Sequence, residues 1–389
     1  MTNSLRDQFL LDPDVVYLNH GSYGACPQPV FDRYQAWQRE LEWNPVAFLG
    51  RRVYELLEET RGVLGAYLGV DGDTLVLFPN PTTAIRLLLR ALPFDSGDEV
   101  LTTDWEYPST NAAWDLAAYQ HGLRYIHQPV PVPFTAPEEF VDALWAGVTD
   151  RTRVIFLSHI SFTCALVFPV AEVCRRARTR GILTVIDGAH APSQIPLDLA
   201  ALDADIYLGA CHKWLCAPKG SGFAYAHPSV HALLTEPLIL GNSRRGDTQP
   251  GPGQYVPQYQ YQGTRDPAAC LTVPDAIRFQ AEHNWDAQRE RCHALARQTL
   301  QRITDLTGLP PLSPDSNTYY SQMVSIPLPT DRVTAVSREM RKRNIVAPIL
   351  STHGRSLVRV SYQAYNDQTD ADALVDAVQT ALAQPQDPG

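Results

Sequence analysis

Short apolar runs alternating with longer stretches of helical spacing constrain this chain more than any other feature of its sequence. The runs lie at residues 74–78, 99–103, 123–127, 153–158, 183–187 and 205–208, and intervening segments such as 82–92 and 170–180 carry apolar residues at helical intervals. Parallel strands need a crossover between them, and a helix is the usual one. The pattern therefore predicts an α/β fold with a mostly parallel sheet. In a sheet of this type the ligand sits in the crevice at the carboxyl ends of the strands.

After residue 240 the rhythm breaks. Residues 241–263 are rich in Gly, Pro, Gln and Tyr and read as a long irregular loop, of a length more often functional than structural. Helical patterns follow at 267–284 and 285–307, then a smaller α/β unit from about residue 319, with candidate strands at 321–326, 346–350 and 357–361. Residues 384–389 read as disordered. At 389 residues the chain exceeds what one hydrophobic core usually serves, so a large domain and a smaller one are expected.

Composition excludes several classes of function. A hydrophobic content of 44% and a charged content of 19% describe an ordinary soluble protein. Lys and Arg number 32 against 42 Asp and Glu, a formal charge of −10 without a basic run, so nucleic acid and anionic membrane are poor partners. Residues 1–15 lack the basic and apolar regions of a signal peptide, and no apolar run is long enough to span a membrane. The seven cysteines form no C-x-x-C pair, which fits reduced thiols in a cytoplasm. A metabolic enzyme is expected.

The strand ends supply the chemistry. Asp187 closes the run 183–187 and is followed by Gly188-Ala189-His190, while Lys213, between His212 and Trp214, follows the run 205–208. A lone ammonium at the end of a buried strand costs several kcal/mol, roughly, unless it is paired or held in another chemical state, and an imine removes that cost. A lysine, a carboxylate and an imidazole at one sheet edge are the set pyridoxal phosphate requires. The lysine forms the Schiff base, the carboxylate keeps the pyridine nitrogen protonated, and a donor sits near the ring phenolate. Taken alone, Asp187 also reads as a strand-end helix cap.

Three further positions carry two readings each. Thr82 and Thr83 open a helix after Pro79-Asn80-Pro81, either as a phosphate anchor or as an ordinary cap. Tyr107 follows another strand end, either stacked on a pyridine ring or part of the core. Arg359 is a cation in an apolar strand, which invites either a substrate carboxylate or a structural ion pair. A metal-dependent hydrolase using His159, His190, His212 and Asp187 is a competing reading, but no two of these have the spacing of a helix-borne site. A non-catalytic binding protein is another, and the presence of Lys213 counts against it.

Three motifs resemble the isopenicillin N epimerase-like branch of the class V aminotransferases: Tyr17-Leu-Asn-His-Gly-Ser-Tyr-Gly, residues 209–222 with His212-Lys213-Trp214, and Gln262-Gly-Thr-Arg-Asp-Pro. The resemblance runs from about residue 15 to 366. It implies a fold type I pyridoxal phosphate enzyme with a seven-stranded type of sheet in a large domain (16–265) and a small C-terminal domain (266–389, with 1–15). Lys213 is then the Schiff-base lysine, Asp187 the partner of the pyridine nitrogen, His190 the neighbour of the phenolate oxygen, and Tyr107 the stacking ring. Thr82, Thr83 and His212 hold the phosphate, with Thr264 arriving from the other subunit of a homodimer. Arg359, with Asn19 and His20, contacts the substrate. The chemistry implied is epimerisation at the α-carbon of an amino acid or its conjugate, with Tyr107 or His20 as the second acid. A C–S lyase is the alternative and an aminotransferase the lesser one.

The departures matter as well. No cysteine follows Cys292, so the persulfide chemistry of cysteine desulfurases is not expected. Phe162 stands where those enzymes carry Asn, and Ala210 where they carry Ser. The loop 242–261, with Arg244 and Arg245, is expected to shape the substrate pocket.

Overall fold

The computed structural model describes residues 5–234 and 255–385. Its strands are β1 (Val16–Tyr17), β2 (Leu75–Phe78), β3 (Glu99–Thr103), β4 (Arg124–Gln128), β5 (Thr152–Ser158), β6 (Leu183–Gly188), β7 (Ile206–Ala210), β8 (Gly222–Ala226), β9 (Met323–Leu328), β10 (Ile345–Val346), β11 (Ile349–Thr352) and β12 (Arg355–Ser361). Seven of them form one sheet in the order β2-β8-β7-β6-β5-β3-β4. All run parallel except β8, which is antiparallel to both of its neighbours, β2 and β7. The α/β class and the mostly parallel sheet expected from the sequence are present.

Alternation along each strand divides the core into two layers. Leu75 and Leu77 of β2 pack on one face, with Leu101, Ile155, Leu157 and Ile186, whereas Val76 and Phe78 pack on the other, with Val100, Phe156 and Leu208. Helix Pro81–Ala91 covers the second face through Ala84, Ile85, Leu88 and Leu89, one stripe at helical spacing. Each such aliphatic side chain contributes about 1.5–3 kcal/mol by leaving water. With both faces covered by helices, the strands present their chemistry only at their ends.

The six expected strands of this sheet appear within one or two residues of their sequence positions. β8 was not among them. Helix Trp285–Thr307 has the limits its pattern implies, closed by Gly308 in the left-handed conformation. The pattern at 267–284 resolves into two helices, Ala268–Leu271 and Val273–Glu282. Most of the long loop lies outside the described residues, Arg244 and Arg245 included, and part of what was read as irregular, Tyr255–Tyr259, is helical. Of the C-terminal residues expected to be disordered, 386–389 also lie outside.

A second, antiparallel sheet of order β11-β12-β9 carries Arg359 at its centre. The single strand expected at 346–350 is instead β10 and β11, separated by Ala347 and Pro348, since proline lacks the N–H a ladder needs. β10 pairs in parallel with β1, so the segment leading into the Asn19–Gly24 motif is tied to the C-terminal part of the chain. No helix among the described residues is long and apolar enough to cross a membrane.

Candidate active site

A cavity of about 300 Å³ opens at the carboxyl ends of β6 and β7, and Lys213, Asp187, His190, His212, Thr82 and Tyr107 all line it. Each lies where the sheet dictates. Asp187 sits next to last in β6, in register with Ser158 on one side and Leu208 on the other. Gly188 follows because a Cβ there would stand 2.0 Å from the Tyr207 ring. Lys213 lies three residues beyond β7, in a turn closed by the Cys216 N–H donating to the Lys213 carbonyl at 3.0 Å.

Hydrogen bonding fixes the protonation pattern around the lysine. The indole N–H of Trp214 donates to His190 Nδ1 at 3.3 Å. An indole nitrogen only donates, so Nδ1 is the acceptor and the proton of a neutral His190 resides on Nε2. That Nε2–H points at Lys213 Nζ, 3.1 Å away. A hydrogen bond of this sense is accepted by the neutral amine, not by the ammonium. Burial favours the same form, taking Lys213 down to about 8, with the charge of Arg359 assisting and that of Asp187 opposing, so the neutral amine prevails above about pH 8 and the ammonium below it. His190 lies well below its ordinary value, first by burial and then by the charge of Lys213.

Asp187 accepts the Ala189 N–H on Oδ1 at 2.9 Å, and no hydrogen bond among the described residues reaches Oδ2. Burial raises its pKa, against the Ala189 N–H and the Lys213 charge. Beneath it lies Glu106, which accepts from Thr103 Oγ1 at 2.7 Å and from the Ser158 N–H and Oγ–H at 2.8 and 2.5 Å. Burial still pushes Glu106 up to about 7. A carboxylate at the strand end with one unpartnered oxygen is a ready acceptor for a pyridinium N–H.

At the other end of the cavity Thr82 stands in the first turn of helix Pro81–Ala91. The Thr83 N–H is already taken by the Asn80 side chain at 2.8 Å, and Thr83 is not among the residues lining the cavity. The expectation of two exposed hydroxyls above free donors therefore reduces to Thr82, because Asn80 caps the helix. His212 Nδ1–H donates to the Ser221 carbonyl at 3.0 Å, and burial lowers the ring to about 4. Lys219 also lines the cavity and was not singled out from the sequence, although it lies within the 209–222 motif. Thr82, His212 and the cation of Lys219 thus share the cavity with Lys213 and are groups suited to a phosphate.

His20 is placed differently from its expected role. It is fully buried, accepts the Tyr365 hydroxyl on Nδ1 at 3.0 Å and donates from Nε2 to the Lys213 carbonyl at 2.9 Å. Burial lowers it to about 3. His20 thus supports the lysine's backbone and does not face the cavity, so it is not placed to touch substrate or to act as the second acid. The Asn19–Gly24 segment brings it there through Gly24, whose φ is +70° and whose Cβ, if present, would stand 1.9 Å from the His212 carbonyl.

Arg359 is completely buried, and no carboxylate among the described residues pairs with it. Its guanidinium donates to the Phe162 carbonyl and Ser22 Oγ, both at 2.8 Å, and to Asn19 Oδ1 at 3.3 Å, while Nε has no partner. Burial brings it down to about 10. The structural ion pair is excluded among the described residues, and Asn19 holds the arginine. Thr264 is exposed and lines a separate groove of about 570 Å³, which shares no residue with the Lys213 cavity. The histidines of the metal reading are each engaged elsewhere: His159 Nδ1 bonds the Tyr207 hydroxyl at 2.9 Å, and His190 and His212 have the partners given above.

The residues present fit pyridoxal phosphate, with an amine, a carboxylate oxygen free among the described residues, an imidazole N–H and the Lys219 cation in one cavity. Comparison with known proteins agrees. The family model for Aminotransferase class-V matches residues 16–374. Isopenicillin N epimerase of Amycolatopsis lactamdurans is 36% identical, with 96% of each chain covered. Hercynylcysteine sulfoxide lyase of Schizosaccharomyces pombe is 24% identical, covering 95% of this chain and 94% of that one. Among solved structures, a C-DES mutant with glycine covalently linked to its PLP cofactor superposes with a TM-score of 0.84 at 20% identity, over 97% of this chain and 99% of that one. The chain belongs to the class V aminotransferase family, and it is an enzyme whose cofactor is pyridoxal phosphate.

Proposed function

We propose that the enzyme epimerises the α-carbon of an amino acid or amino-acid conjugate, in the manner of an isopenicillin N epimerase. The observation that carries this reading is the pairing of an amine anchor with an unpaired cation: Lys213 in the cavity, and Arg359 buried without an acid among the described residues. A buried arginine held only by neutral acceptors is stabilised by an anion, and the α-carboxylate of an amino acid supplies one. Similarity to an epimerase across the whole length supports the choice of outcome.

Asp187, His190, Tyr107 and Lys213 would hold the ring of the cofactor, and Thr82, His212 and Lys219 its phosphate. When bound, pyridoxal phosphate supplies an aldehyde carbon that links to an amine and an electron-withdrawing ring that acidifies the substrate's α-carbon. Asp187, with its second carboxylate oxygen free of hydrogen bonds among the described residues, would keep the ring nitrogen protonated. Lys213 Nζ, oriented by His190 Nε2–H, takes the α-proton as a neutral amine. Tyr107, on the cavity wall, is the acid that returns a proton to the other face. Phe162 and Ile160 line the cavity with apolar surface.

The active form is a homodimer in a cytoplasm, with Thr264 of one subunit completing the phosphate site of the other. The exposed position of Thr264, beside a groove lined by Val46 and Leu49, supports that arrangement. A C–S lyase is the second reading, favoured by the similarity to hercynylcysteine sulfoxide lyase. No cysteine among the described residues lines the cavity, which argues against a persulfide mechanism. Incubation with amino acids in deuterium oxide separates the readings. Exchange at Cα with inversion and no net product supports epimerisation, whereas release of pyruvate and ammonia overturns it in favour of elimination.

A further inference from the structure

Arg359 does not reach the cavity it is expected to serve. The guanidinium carbon lies 4.4 Å from the centre of the Phe162 ring, face-on, and Phe162 lines the cavity while Arg359 does not. The same ring meets Tyr107 edge-on at 5.1 Å and lies 6.4 Å from the His190 ring. Phe162 is thus interposed between the arginine and the residues around the lysine. Ser22, which also lines the cavity, takes a second side of the guanidinium with its hydroxyl. What remains is a cation with no counter-charge among the described residues, an unsatisfied Nε and an aromatic face as its cover.

We propose that Phe162 is a specificity-determining shutter over the carboxylate subsite, which turns off Arg359 only when an anionic group takes its place. The proposal rests on the reading of Arg359 as the carboxylate anchor. A π face attracts the cation without neutralising it, so an arriving carboxylate replaces a weaker partner with a stronger one. A ligand without a carboxylate has nothing to exchange for that contact and leaves the ring in place. The apolar residue at 162 thereby makes the subsite selective for anions: neutral ligands meet a phenyl wall, and anions displace it.

The test uses the holoenzyme and phenylglyoxal, an arginine-selective reagent, with modified positions identified by peptide mass spectrometry. Arg51, whose side chain is 89% exposed, serves as the internal reference. In the wild type Arg359 should react far more slowly than Arg51. In Phe162→Ala it should react on the order of thirtyfold faster than in the wild type, the factor a desolvated cation–π cover is worth, and Phe162→Leu should fall between the two. Equal rates at Arg359 in wild type, Phe162→Leu and Phe162→Ala would overturn the shutter, and the leucine variant keeps the comparison available if the alanine one does not fold. Propionate, and not propionamide, should then protect Arg359 in the variants. Acceleration without protection by propionate would leave the cover standing but refute Arg359 as the carboxylate anchor, so the two failures are distinguishable.

Discussion

Replacing Lys213 by methionine in the cofactor-free protein is expected to raise its stability at pH 7. Burial takes the amine from 10.5 to about 8, and at 1.36 kcal/mol per pH unit this makes the folded state pay about 3 kcal/mol for the ammonium. The sign follows from proton counting. Between 8 and 10.5 the unfolded chain binds more protons than the folded one, so the lysine's penalty is complete below pH 8 and fades as pH rises to 10.5. The attraction of Asp187 is already contained in that value, so a net gain of about 3 kcal/mol is expected at pH 7, falling below about 1 kcal/mol at pH 10. Urea unfolding of both proteins across that range measures it. A methionine variant less stable than wild type at pH 7, or a difference that does not shrink with pH, would show that Asp187 already compensates the ammonium and would refute the reasoning.

Other substitutions probe the rest of the site. Trp214→Phe keeps the packing but leaves His190 Nδ1 without its donor, which should cost about 1–3 kcal/mol of stability. It should also raise the pKa of the Lys213 amine, followed by the pH dependence of its reaction with an amine reagent in the cofactor-free protein. Gly24→Ala forces a Cβ onto the His212 carbonyl at a positive φ, and a loss of roughly 3 kcal/mol or more in urea unfolding is expected, with weakened uptake of pyridoxal phosphate. Arg359→Lys replaces a planar fork by a point charge, and KM for an amino-acid substrate should rise about tenfold to a hundredfold with kcat less affected. An unchanged KM would mean that the carboxylate binds elsewhere.

Strand ends are legible because a parallel sheet buries whole runs and then stops, so Asp187 stands out at the end of its run and Lys213 in the turn that follows the next one. β8 was not legible. Its five residues, Gly222–Ala226, follow the lysine motif without a helix between, and nothing local reveals that it returns antiparallel between β2 and β7. His20 misled for a related reason. A single helical turn, His20–Tyr23, sends Ser22 and Tyr23 to the cavity and His20 inward against Trp214, an orientation set by tertiary packing. The orientation of Trp214, which fixes the His190 tautomer, and the lack of an acid beside Arg359 among the described residues depend on side chains from distant segments. No spacing in the sequence encodes either one. Thr83 is read from its place in the first turn of a helix after Pro79-Asn80-Pro81, and the Asn80 cap that claims its N–H becomes visible only with the turn's geometry.

The six residues from Asn19 to Gly24 behave as a caliper. One jaw, Asn19 and Ser22, grips the guanidinium at 359, and the other, His20 and Gly24, rests on the main chain at 212 and 213. The gap between Lys213, the proposed handle for an amine, and Arg359, the proposed handle for a carboxylate, is thereby gauged by a single turn of chain. Lengthening that turn by one residue would mistune the gap for every α-amino acid at once, whatever its side group.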